Sequence, residues 1–249
     1  MDCAGLTLLI PEKPDLERDE VALAFDSAGG TVLRLGRFWD PPPLTVEAVR
    51  VYGNETFCLV LQERLGLALQ TPADDLSTTV PSKFLRRSLS KRRLDQVSGA
   101  TFPLFIKSLV PKQIPSRLYA TAHELSDVSS GMQPTSELLV SEPVCFVAEV
   151  RSFVLDGEIL DAALYEGVAS LEDARDFIRQ LVAAVPQPRA VVIDVGLLAD
   201  NSWALVEFNA AWGAGLNGCN ASRVLPAIVA ASVLDNRDPG SSSSKSSQR

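Results

Sequence analysis

The chain has 249 residues, of which 46% are apolar and 22% charged, the composition of a folded globular protein with a core of its own and length for one large or two small domains. Its formal net charge of −8 opposes nonspecific binding to nucleic acid. No apolar run reaches the roughly 18 residues of a membrane-crossing helix, and MDCAGLTLLIPEKPD at the start lacks a basic leader region, so the expectation is a cytoplasmic protein without membrane contact.

In chain order, Leu6 to Ile10, Thr31 to Leu35 and Val49 to Tyr52 read as strands and Glu55 to Leu65 as a helix. Strand and helix alternating in this way point to an α/β layer. Tyr52-Gly53-Asn54 is a strand-to-helix turn with Asn54 as N-cap, at the strand end where open α/β sheets bind ligands.

Lys83 to Arg93, KFLRRSLSKRR, carries six basic residues and no acid. Phe84, Leu85 and Leu89 give it a rough helical face, and the segment reads as a solvated basic helix, a phosphate-facing helix or a nucleic-acid patch. In the strand-like run Thr101 to Val110, TFPLFIKSLV, Lys107 either snorkels or meets an anion. Lys112 follows in the loop PKQIPSRLYAT. The one histidine, His123, lies in a polar loop and has no second histidine with which to build a metal site. Cys3, Cys58, Cys145 and Cys219 lack C-x-x-C spacing and are expected to be reduced thiols.

Glu137 to Gly167 reads as an extended segment, a break at Ser141-Glu142-Pro143, and a hairpin turning at Asp156-Gly157. Its EVRSFVLDG strand projects Glu149, Arg151 and Phe153 to one face. Ser170 to Val185 is an amphipathic helix capped by Ser170. Val191 to Leu198 and Trp203 to Phe208 form a hairpin through residues 199 to 202. That hairpin brings Asp194, Glu207 and Asn209 to one end of a sheet, a set of hard oxygen donors suited to Mg2+ or simply solvated acids at its rim. Gly213 and Gly215 then either let backbone N–H groups approach an anion or form a tight turn. Ala221 to Leu234 reads as a closing helix with Pro226 in its first turns, and residues 236–249 as a serine-rich disordered tail.

The ordered series FLRRSL, FPLFIK, VSEPV, EVRSFVLDG, VVIDVG and VEFNAAWGAGLNG, from about Pro81 to Ala231, resembles the ATP-grasp superfamily, and within it a clade marked by two arginines and one lysine. The resemblance implies a mixed α/β (α+β) ATP-grasp fold over residues 96–235, preceded by a pre-ATP-grasp-like α/β domain over residues 1–95. It implies Lys107 on the nucleotide phosphates, Lys112 as a further nucleotide-binding lysine of the clade, a hinge from Ser141 to Val144, including Glu142, whose backbone reads adenine, and Glu149 facing a ribose hydroxyl or Arg151. Asp194, Glu207 and Asn209 would hold Mg2+, and Arg87 and Arg151 would be the clade-marking arginines, close to the transferring phosphoryl group. The implied activity is an ATP-dependent ligase joining a small-molecule or peptide carboxylate to an amine or thiol. A phosphotransferase, or a nucleotide-binding module without turnover, would use the same residues. The sequence departs from the wider superfamily where Ala210 to Gly215 follows E-x-N without proline, so substrate specificity is not carried over.

Overall fold

The computed structural model describes residues 1–97, 99–110 and 113–234. Lys112 and the expected tail at 236–249 therefore lie outside the described residues. The first layer is built from β1 (Thr7–Pro11), α1 (Leu16–Ser27), β2 (Thr31–Leu35), β3 (Val49–Val51) and α2 (Glu55–Leu65). Its three strands are parallel in the order β2-β1-β3. Asp15 caps α1 by accepting from Arg18 N–H, and Asn54 caps α2 by accepting from Phe57 N–H; each oxygen satisfies a donor the first helical turn leaves open. Gly66 closes α2 at φ 67°, a conformation that costs glycine little.

After β4 (Leu67–Leu69) come the short helix α3 (Ser82–Leu85), β5 (Leu89–Arg93), α4 (Leu94–Val97), β6 (Leu104–Ser108), β7 (Arg117–Tyr119), α5 (Ala122–Val128) and β8 (Glu137–Ser141). Strands β5-β8-β6-β7 form an antiparallel sheet. Next come β9 (Phe146–Leu155), β10 (Glu158–Gly167), α6 (Leu171–Ala184), β11 (Ala190–Leu198), β12 (Trp203–Asn209), α7 (Ala221–Ala230) and β13 (Ser232–Leu234). They supply a second antiparallel sheet, β10-β9-β11-β12, while β13 returns to pair with β4. Asp156 and Gly157 both have positive φ, the backbone that a two-residue hairpin between twisted strands requires.

Three sequence expectations change. The basic segment 83–93 is one turn of helix followed by strand β5: Arg86 adopts a left-handed φ of 54° and ends the helix, and alternation then pairs Leu89 to Arg93 with β8. His123 sits on helix α5, which Thr121 caps, rather than in a loop. The closing helix stops at Ala230, because Ser232 to Leu234 is drawn into a ladder with β4 and the Ser232 hydroxyl accepts from Val51 N–H.

The sheet β10-β9-β11-β12 is covered on both faces. Val150, Val154, Val191, Ile193 and Leu205 pack with Ile178 and Leu181 of α6. Phe153, Ala190 and Val192 on the other face join a core shared by Leu8, Leu9 and Phe57 of the first layer and Val224 and Ile228 of α7. Arg151 and Asp194 alternate with the α6-facing residues and share the strand face of Phe153 and Val192, so they point to this second face.

Candidate functional site

A cleft of about 790 Å3 opens between the two antiparallel sheets. One wall is the outer face of β6, β7 and β8, with Phe105, Lys107, Leu118 and Leu139. Ser141 to Val144 closes one end, and Glu207, Phe208 and Asn209 form part of the opposite wall. Glu55 and residues 71–74 reach it from the amino-terminal part of the chain. Phe105 and Leu118 remain 40% and 48% exposed; two large apolar side chains left open inside a concavity are the usual lining of a small-molecule site.

The acidic group depends on a break in strand alternation. Asp194 lies opposite Arg151 on one side and opposite Glu207 on the other, whereas Val195 lies opposite Leu205, which leaves Val206 as an extra residue in β12. Trp203 and Leu205 belong to the core on the α3 and α6 side of the sheet, and the next β12 residue packed against that core is Phe208. In an unbroken strand Glu207 would share the face of Leu205. The bulge at Val206 reverses the phase and turns Glu207 and Asn209 to the side of Asp194.

There the Asn209 amide nitrogen donates to Asp194 Oδ2 at 3.1 Å and to Glu207 Oε1 at 3.0 Å. With its NH2 committed to two carboxylates, the amide presents its oxygen as the remaining acceptor. Lys107 Nζ lies 3.9 Å from Glu207 Oε2, both side chains being nearly half exposed. Asp194 stands behind this group: its side chain is 2% exposed, and Arg151 grips it with Nε and one terminal nitrogen at 2.8 and 2.6 Å. Burial lifts the Asp194 carboxyl above its ordinary range, against the pull of Arg151.

The other Arg151 terminal nitrogen donates to Gly215 O at 3.0 Å. Glu149 does not pair with Arg151; it accepts from the Tyr165 hydroxyl, and burial together with this carboxylate pushes the phenol upward. Arg87 is also fully engaged. Its Nε donates to Ser141 Oγ at 3.1 Å, one terminal nitrogen to Leu85 O and Leu205 O at 3.0 and 2.6 Å, and the other to Val206 O at 3.3 Å. Burial lowers its pKa. At the hinge, Glu142 exchanges bonds with Ser88: Ser88 N–H donates to its carboxylate and Glu142 N–H to Ser88 O.

The loop after β12 carries Trp212 and Gly213 into the cleft and is pinned by the first layer. Gly53 N–H donates to Trp212 O, the Tyr52 hydroxyl to Ala214 O at 2.8 Å, and Leu216 and Asn217 N–H to the two oxygens of Glu17 at 3.0 and 2.7 Å. A Cβ at Gly215 would stand 2.5 Å from Glu17 Oε2. The glycine thus does let backbone donors approach an anion, and that anion is a carboxylate of the chain itself.

Of the expected residues, Arg87, Lys107, Glu142, Val144, Glu149, Glu207 and Asn209 line one cleft. Arg151 and Asp194 belong to the same cluster from behind its wall. The sequence reading missed Ser141 as an acceptor for Arg87, Glu17 and Tyr165; none lies near its partner in sequence. Phe105 carried a signal, since it is two residues from Lys107 and shares its strand face.

Residues 84–227, more than half of the chain, match the model of an ATP-grasp domain family, the second family of the clade named for two arginines and a lysine. No curated protein matches the sequence. Solved structures share the fold at low identity. The D-cycloserine synthetase DcsG has TM-score 0.61 at 16% identity, covering 90% of this chain and 99% of its own. The ATP-grasp ligase PsnB, in a complex with Mg, ADP and a phosphomimetic variant of its minimal precursor, has TM-score 0.52 at 14% identity, covering 91% and 97%. N5-carboxyaminoimidazole synthase from Aspergillus clavatus, with ADP and its ribonucleotide, has TM-score 0.57 at 10% identity, covering 92% and 78%. A parallel first sheet followed by antiparallel sheets enclosing a cleft is the mixed α/β architecture of these ATP-grasp enzymes, and the chain belongs to the ATP-grasp family, in the second family of its two-arginine, one-lysine clade.

Proposed function

We propose that the protein is an ATP- and Mg2+-dependent ligase that joins a carboxylate to an amine or thiol through an acyl-phosphate and releases ADP. The observation that carries the reading is the convergence of Lys107 with Glu207 and Asn209 from opposite walls of a cleft that also holds an apolar strip and a hinge. Adenine fits against Phe105 and Leu118, with backbone groups of Ser141 to Val144 for its edge. Lys107 neutralises phosphate charge. Mg2+ suits the donor set of Glu207 and the outward amide oxygen of Asn209, with Asp194 fixing the amide; when bound it supplies charge neutralisation on phosphate oxygens.

In the first step a substrate carboxylate oxygen bonds to the γ-phosphorus and the bond to ADP breaks. In the second the nucleophile bonds to the acyl carbon, the bond from that carbon to the phosphate oxygen breaks, and the nucleophile's proton leaves with phosphate or to solvent. Both steps move negative charge, which Lys107 meets at the cleft, while Arg151 keeps Asp194 and Asn209 in register. A PsnB complex contains the precursor peptide PsnA2, so peptide as well as small-molecule carboxylates and amines belong to the proposed substrate range. The division of the chain implied here runs near residue 80 rather than 95, because β5 already pairs with β8.

The test is a thermal shift with ATP, with and without Mg2+, then ADP detection with pooled amino acids. Nucleotide bound to the folded state raises the midpoint, and Glu207→Ala is expected to remove the Mg2+-dependent part. An ATP-induced shift that is equal in the two proteins overturns the metal assignment; binding without ADP formation overturns the ligase.

A further inference from the structure

We infer that Arg87 is a positioning residue, which holds the β-bulge that aims Glu207, rather than a ligand of the transferring phosphoryl group; the inference rests on the reading of the cleft as an Mg-ATP site. In a regular strand successive carbonyls point to opposite sides, so Leu205 O and Val206 O could not both face one partner. The extra residue at Val206 brings them to the same side, on β12, the edge strand of its sheet. One guanidinium takes both, at 2.6 and 3.3 Å. Those carbonyls precede the side chain they control by two residues and one.

The same side chain reaches the other sheet. Its Nε donates to Ser141 Oγ, and that hydroxyl donates onward to Glu142 O at 2.8 Å. A terminal nitrogen also holds Leu85 O, the last residue of α3. Arg87 therefore joins three backbone elements: the end of α3, the hinge and the bulge. No carboxylate pairs with it among the described residues, so its charge is met by carbonyl and hydroxyl oxygens and by the face of the Phe146 ring, 5.9 Å away. A guanidinium spreads its donors in a planar fork, which is the shape needed to satisfy several fixed carbonyls at once; an ammonium is a single point.

The consequence is a separation of effects. Arg87 touches the hinge only through the Ser141 hydroxyl, whose own bond to Glu142 O survives its loss, whereas it holds both carbonyls of the bulge directly. Loss of the fork lets the bulge relax and Glu207 turn, which weakens the metal-dependent part of nucleotide binding and spares the metal-free part.

The experiment measures the affinity of a nonhydrolysable ATP analogue by calorimetry, in EDTA and in excess Mg2+. It uses the full chain carrying Arg87→Lys or Arg87→Gln, whose amide can still donate to two carbonyls. Ser232→Ala is the control: it deletes another long-range hydrogen bond, to Val51 N–H, away from the cleft. Wild type is expected to bind more tightly with Mg2+. In Arg87→Lys that gain should fall about tenfold, the usual effect of removing a group that orients a metal ligand, with the EDTA value unchanged and partial recovery in Arg87→Gln. Ser232→Ala should keep the gain.

An Arg87→Lys protein that keeps the full Mg2+ gain overturns the inference, as does one that loses metal-free binding equally, since that is the signature of a direct phosphate contact. A Ser232→Ala protein that loses the gain as fully as Arg87→Lys also overturns it, by showing mere destabilisation. If wild type itself shows no Mg2+ gain, the Mg-ATP reading falls and the inference with it.

Discussion

Replacing Arg151 by methionine tests the most buried ion pair among the described residues. Methionine keeps most of the stem volume but removes a fork that holds Asp194 at 2.8 and 2.6 Å and Gly215 O at 3.0 Å. The two side chains are 12% and 2% exposed, so water cannot take over from the lost partner. Leaving one member of a buried ion pair alone costs about 3–5 kcal/mol. For a chain of this size each kcal/mol moves the melting midpoint by about 2–4 °C, so a drop of about 6–20 °C is expected. Removing the stranded charge should recover most of it: Arg151→Met combined with Asp194→Leu replaces the pair by apolar contact, which is often neutral or stabilising. Asn209 keeps Glu207 as an acceptor in the double variant. Urea unfolding followed by circular dichroism measures both proteins. A single-variant loss below about 1 kcal/mol, the range of an exposed pair, together with no recovery in the double variant, would refute the reasoning.

Lys107→Ala should leave stability within about 0.5 kcal/mol, since the side chain is nearly half exposed, yet weaken binding of a nonhydrolysable ATP analogue in calorimetry; unchanged affinity would mean that the lysine only solvates its strand. Gly215→Ala should displace the Glu17 carboxylate and speed hydrogen exchange at Leu216 and Asn217, read by mass spectrometry. Retained protection there would refute the role given to Glu17. For the thiols, Cys145 is exposed while Cys3, Cys58 and Cys219 are buried, and burial with Asp161 nearby pushes Cys219 up to about 12. Ellman's reagent should therefore modify one thiol quickly in the native protein and all four in denaturant.

The parts of the site that were legible in the sequence are those encoded by local period and order. Glu207 and Asn209 were read as a pair because they are two residues apart, and Asp194 because the hairpin returns it to the same end. The bulge at Val206 was not legible: Trp203 to Phe208 reads as an unbroken strand, and the phase change is stabilised by Arg87, more than a hundred residues earlier. Glu149 and Arg151 looked like partners because they share a face. Tertiary packing placed Asp194 opposite Arg151 and Tyr165 within reach of Glu149, and those nearer partners prevailed. The basic run was misread as a helix because Phe84, Leu85 and Leu89 fit helical spacing by chance, with Arg86 as a turn that no glycine announced.

The pairing of β4 with β13 and the core shared by Leu8, Phe57, Val224 and Ile228 have a consequence for synthesis. A nascent chain leaves the ribosome from its amino end, so the first parallel sheet emerges long before the helix and strand that cover it. Until α7 and β13 arrive, Val51 N–H lacks the Ser232 hydroxyl and α1 lacks the helix packed against it. The loop held by Glu17, Tyr52 and Gly53 also comes late. The cleft is thus finished only when the two ends of the described chain have been stitched together, so an unfinished polypeptide does not present it in its final form.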